Sequence, residues 1–117
     1  MYIETASSGI VISDKPILVC TSVNDIKVAR DIANTLLTKK YSPCINIVSN
    51  NESIYVWNND IETTNEYILF IKSVKSKFKN IEKLILAMHP YEIPEILAID
   101  INHINMKYLK WMLDYLD

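Results

Sequence analysis

One set of three side chains combines donors that could hold a soft metal ion: the thiol of Cys20, the thioether of Met88 and the imidazole of His89. Sulfur and imidazole donors suit copper, and a thioether favours Cu(I). No Cys-x-x-Cys or His-x-x-x-His spacing occurs, so any such set must be assembled by separate elements. Each residue also has a purely structural reading. Cys20 in "ILVCTSV" is a small strand hydrophobe, Met88 continues an apolar helical stripe, and His89 sits where an imidazole favours a helix C-terminus. A second group is polar: Tyr91, Glu92 and Glu95 in "HPYEIPEI", with Lys72 at the end of "FIK" as a positive partner. Polar groups gathered at a cleft suit a small molecule or an anion. The competing reading pairs Glu95 with Lys72 and gives Tyr91 a hydrogen bond across a subunit interface that only holds the assembly together.

Catalysis is not expected. His89 and His103 are the only histidines, and neither has a nucleophile and an orienting group at a recognisable spacing. His103 in "INHIN" reads as a solvated surface imidazole. Gly9 is the only glycine, which excludes a P-loop, a dinucleotide fingerprint and a nucleophile elbow, because each needs several glycines. Turns must rely on asparagine, at "SNNES" and "WNND".

With 117 residues, half of them hydrophobic, the chain can bury the core of one domain. A formal charge of -2 and a pI near 5.6, with no basic run, argue against nucleic acid as a partner. The N-terminus lacks the pattern of a signal peptide, and no segment approaches the roughly 20 apolar residues of a membrane span, so a cytoplasmic, membrane-free protein is expected. Two cysteines, Cys20 and Cys44, are too few for a disulfide scaffold and read as buried free thiols.

The elements that must position these residues follow from periodicity. Residues 1–16 read as an extended or partly flexible extension, and 17–117 as a single domain. Ile17 to Val23 predicts a buried strand; Ala29, Ile32, Ala33, Leu36 and Leu37 predict an amphipathic helix capped by Asn24 or Asp25. Cys44 to Trp57 predicts a long strand with a bulge or bend at Ser49 to Glu52, turning at Asn58 to Asp60 into a partner strand over Glu66 to Ser73. A second helix, capped by Ser73, runs through Val74, Phe78, Ile81, Ile85 and Met88 until Pro90 stops it. Glu95 to Ile101 predicts a last strand, and Tyr108, Leu109, Met112, Leu113 and Leu116 form the stripe of a closing helix, with Trp111 off it. The order β-α-β-β-α-β plus a C-terminal helix is an α+β, ferredoxin-like sandwich. Tyr55, Trp57 and Tyr67 follow strand alternation and are expected to pack between subunits.

Four stretches, in order over Ile17 to Tyr115, resemble the CutA divalent-cation-tolerance family. They are "ILVCTSVND", "ARDIANTLLTKKYSPCINIV", "SIYVWNNDIE" and "HPYEIPEILAIDI". The resemblance implies a homotrimer with strands pairing across subunits. It also implies a role in tolerance of divalent cations, copper above all, by binding, with Cys20 and His89 as ligands. Met88 stands where copper-binding bacterial members carry a second histidine. A long hairpin independently calls for a cover on its edges, and cyclic self-association supplies one. The alternative is a trimeric, signalling-type regulator that takes a small molecule or a partner protein in the inter-subunit cleft through Tyr91, Glu92, Glu95 and Lys72.

Overall fold

The structure, a computed structural model, describes residues 2–5, 9–12 and 14–117, the first two stretches as backbone alone. Strands β1 (Tyr2–Thr5) and β2 (Gly9–Ile12) pair with each other as an antiparallel ribbon. The expectation of a partly flexible extension falls in part on residues outside the described set.

Strand β3 (Pro16–Val23) leads through Asn24 to α1 (Ile26–Thr38), whose N-cap is Asp25: its carboxylate accepts the Lys27 N–H at 2.8 Å. Strands β4 (Cys44–Trp57) and β5 (Asp60–Val74) make the hairpin, joined by Asn58 and Asn59. Both asparagines have positive φ, 51° and 67°, as a two-residue turn matched to strand twist requires. A register shift between Val48 and Asn51, with Asn50 at φ 59°, is the bulge expected from the polar patch. The partner strand is longer than expected, because Asp60 to Asn65 pair with β4 despite their polarity.

A 3-10 turn (Lys75–Lys77) precedes α2 (Phe78–Met88), and here the expected cap is wrong. Ser73 still belongs to β5 and faces inward, where its hydroxyl donates to the Tyr41 carbonyl at 2.5 Å. Asp14 caps the turn from outside instead, accepting the Ser76 N–H at 3.0 Å and the Ser76 hydroxyl. Strand β6 (Ile96–Asp100) and α3 (Met106–Leu116), capped by Asn105, complete the chain.

The main sheet is antiparallel in the order β4-β5-β3-β6, which is the ferredoxin-like arrangement. Alternation gives it two unlike faces. Ile17, Val19 and Val23 of β3 and Leu69 and Ile71 of β5 point toward Ala29, Ile32, Leu36, Ile81 and Ile85 of the helices and form the core. On the other face, Leu18, Cys20 and Ser22 of β3 stand beside Lys72, Phe70 and Ile68 of β5 and, on the far side, Ile99 and Leu97 of β6. Helix α3 covers only the Val74 end of this face, through Leu109, Met112, Leu113 and Leu116. Leu97 is left 42% and Ile99 53% exposed. The radius of gyration, 16.0 Å, exceeds the roughly 13 Å of a compact chain of this length, as a protruding hairpin demands.

Candidate functional site

The donors read as a metal set do not converge within the chain. Cys20, paired with Phe70 and Leu97, points to the open face of the sheet, whereas Met88 packs against the core on the helix face. His89 is buried with both ring nitrogens engaged. The Tyr91 N–H donates to Nδ1 at 3.1 Å, which places the ring proton on Nε2, and Nε2 donates to the Ser22 carbonyl at 2.8 Å. A metal at His89 would have to displace one of these bonds. Burial first, and then the charge of Glu95, push the Cys20 thiol up from its ordinary range, which opposes the thiolate that ligation needs. Among the described residues no three His, Cys, Asp or Glu side chains gather as a metal group. The Cys20, Met88 and His89 set therefore does not fit a copper ion held by one chain.

Lys72 is a second correction. Its ammonium donates to Asn46 Oδ1 and lies 3.6 Å from Cys44 Sγ, on the β4 side of β5. Glu95 precedes β6, on the opposite side of β3, so no Lys72–Glu95 pair forms within the chain. Glu92 and Glu95 are exposed, and so is His103. The aromatics divide: Tyr55 and Trp57 share a face of the hairpin and are 42% and 40% exposed, but Tyr67, opposite Val23, packs on the chain's own core. Tyr67 is thus half-buried against the chain's own core, on the opposite face of the hairpin from Tyr55 and Trp57.

What the fold does bring together is a corner built from β5, the end of β3 and the segment after α2. Pro90 ends the helix, and the His89 N–H still reaches back to the Ile85 carbonyl at 2.8 Å, so the chain turns sharply at His89. The turn lays the Tyr91 ring edge-on against His89, with centroids 4.6 Å apart, and aims its hydroxyl at Glu66. That hydroxyl donates to Glu66 Oε2 at 2.6 Å. Desolvation, then the hydrogen bond and charge of Glu66, push the Tyr91 phenol far above its usual range, and the Asn24 backbone N–H offsets this only in part. Tyr55 is near enough to act on the same phenol, and its own hydroxyl shares a 2.8 Å hydrogen bond with Thr64.

Glu66 is 7% exposed and is the member of this corner that a strand reading passes over. Its signal lay in phase: Glu66, Ile68, Phe70 and Lys72 share one face of β5, and a carboxylate in line with Ile68 and Phe70 is unusual.

An antiparallel sheet with α1 and α2 on one face, and α3 on only one end of the other, defines an α+β domain of ferredoxin-like class. The family model described as "CutA1 divalent ion tolerance protein" matches residues 17–115, and the chain belongs to that family. The "Divalent-cation tolerance protein CutA" of Thermus thermophilus is 35% identical over 95 residues, 81% of this chain and 92% of its own. The "Protein CutA homolog" of Xenopus laevis is 37% identical over 94 residues, 80% of this chain but only 62% of its own length. The crystal structure of the divalent ion tolerance protein CutA1 from Ehrlichia chaffeensis superposes with a TM-score of 0.84 at 31% identity, covering 90% of this chain and 98% of that one. A further neighbour at TM-score 0.85 and 28% identity, covering 87% of this chain and 99% of its own, is titled the periplasmic divalent cation tolerance protein CutA from Archaeoglobus fulgidus. Among the described residues no helix is long and apolar enough to cross a membrane.

Proposed function

We propose that this protein is a homotrimer that serves divalent-cation tolerance by reversible binding and not by turnover, receiving its ligand at the Glu66–Tyr91–His89 corner, in a cleft completed by a neighbouring subunit. The observation that carries the reading is the bare face of the sheet. Leu97 and Ile99 stand exposed beside Cys20 and Leu18 with no helix above them, and Val48 extends the patch at 43% exposure. Contiguous apolar surface of this kind on a single chain marks an interface. Three copies around an axis close such an interface without leaving a growing end. Copper held by Cys20 and His89 finds less support, since it needs bonds of His89 to break.

Sedimentation velocity on the wild type and on Ile99→Asp tests the assembly. The wild type is expected at three times the chain mass and the variant at a lower mass, because a carboxylate would be buried unpaired in each contact. A wild type that sediments as a monomer overturns the reading, as does a variant that keeps the full assembly.

A further inference from the structure

Glu66 lacks the counter-ion that its burial calls for. A carboxylate withdrawn from water is costly unless a cation or several donors compensate it. Here one donor is present, the Tyr91 hydroxyl, and among the described residues no lysine, arginine or histidine forms an ion pair with Glu66. The nearby groups add no positive charge. Tyr91 is held protonated and neutral, and the nearest polar side chains on the same face of the hairpin are uncharged: Asn51, directly opposite Glu66, whose amide donates to Ser53 at 2.9 Å, and Thr64, which meets the Tyr55 hydroxyl. Lys72, the cation read from sequence as the partner of this site, lies on the same strand six positions away, about 20 Å at roughly 3.3 Å per residue.

We propose that the corner receives a small organic ammonium ion. Glu66 supplies the charge, the oxygens of Tyr91 and Thr64 supply uncharged acceptors, and Tyr55, whose hydroxyl meets Thr64, supplies a ring face for the cation. This deepens the cleft reading above and rests on it. The donor set favours an ammonium over a metal ion. A divalent ion asks for four to eight ligands, and this corner offers one carboxylate and an imidazole whose nitrogens are both engaged. An ammonium needs a single carboxylate, a few neutral acceptors and an aromatic face, all of which lie on one side of the hairpin. An anion is disfavoured outright, because it would meet the Glu66 carboxylate, which has no ion-pair partner among the described residues.

Calorimetric titration of the full chain in amine-free phosphate buffer tests the proposal. The probes are methylammonium, tetramethylammonium and cadaverine, with pentanol, pentanoate and Zn(II) in parallel. Saturable uptake of at least one ammonium is expected, with none of pentanol or pentanoate. Glu66→Gln should weaken the uptake by at least about tenfold, the scale of one charged hydrogen bond. Should Glu66→Gln fold poorly, Tyr55→Leu at the exposed ring keeps the test open, and it should weaken uptake by about threefold. An intact trimer that takes up none of the ammonium ions overturns the proposal and leaves the assembly reading standing. So does uptake unchanged in both variants, or Zn(II) binding that Glu66→Gln abolishes while ammonium fails, or a neighbouring subunit's lysine or arginine found on Glu66. A monomer by sedimentation instead strikes the assembly reading itself.

Discussion

Replacing Tyr91 with phenylalanine removes one oxygen and leaves a buried carboxylate without its donor. The Tyr91 hydroxyl reaches Glu66 at 2.6 Å, and Glu66 is almost fully buried, so this is a hydrogen bond to a charged group worth about 2 kcal/mol. The ring contact with His89 survives in Tyr91→Phe, which confines the loss to the hydroxyl. The pH dependence is the sharper signature. The folded state raises the Tyr91 phenol well above its ordinary value of 10.0, so the folded chain keeps that proton when the unfolded chain begins to lose it. Stability from a raised group is complete below the unfolded value and drains away as pH rises above it. At pH 11, one unit above, ionisation stabilises the unfolded chain by about 1.4 kcal/mol. The gap between wild type and Tyr91→Phe should therefore shrink from about 2 kcal/mol at pH 7 to about 0.6 kcal/mol at pH 11. The other tyrosines titrate in both proteins and cancel in the difference. Urea unfolding followed by circular dichroism at both pH values, at one protein concentration because assembly contributes to stability, measures it. A gap that stays constant between pH 7 and 11, or Tyr91→Phe as stable as wild type at pH 7, would refute the reasoning.

Two further changes probe the frame around the corner. Thr21 is fully buried among Val19 and Val23, and its hydroxyl has no hydrogen-bond partner among the described residues, so Thr21→Val should stabilise the fold by about 1 kcal/mol in urea melts. A destabilised Thr21→Val would mean that the hydroxyl is satisfied in solution. Asp14→Ala removes the remote cap on the turn into α2 and should cost about 1 kcal/mol, with faster amide exchange confined to the first turn after Lys75. Uniform exchange across the chain, or none, would count against the cap.

The fold was legible because its periods are clean. Ile17 to Val23, the helical stripe from Ala29 to Leu37 and the asparagine turn each rest on neighbours within one element, and each formed within a residue or two of expectation. What failed was non-local. Ser73 looked like a cap because it precedes a helical stripe, yet it stands in phase with Leu69 and Ile71 inside β5, which runs on through Val74 and buries it. The cap came from Asp14, on the far side of β3, which no local pattern could nominate. Lys72 and Glu95 were joined by charge alone; the sheet order puts Lys72 opposite Leu18 and β6 on the other side of β3. Tyr67 was grouped with Tyr55 and Trp57 as aromatic, but it differs from them in strand parity, and parity decides which face a side chain meets.

That distinction also explains how one short segment can be both a corner and a site. Pro90 and Pro94 remove two backbone donors and fix two φ angles, and the His89 ring is pinned at both nitrogens between the Tyr91 N–H and the Ser22 carbonyl. The imidazole that looked most like a ligand therefore acts as a brace. It ties the segment after α2 to the end of β3, and the brace holds the Tyr91 hydroxyl on Glu66 before any ligand arrives. A site already held in place loses little conformational freedom on binding, so even one carboxylate with a few neutral neighbours can select by charge. Releasing His89 to coordinate a metal would undo the arrangement that positions Tyr91. In this chain, coordination by His89 and an ordered acidic corner are competing uses of the same residue.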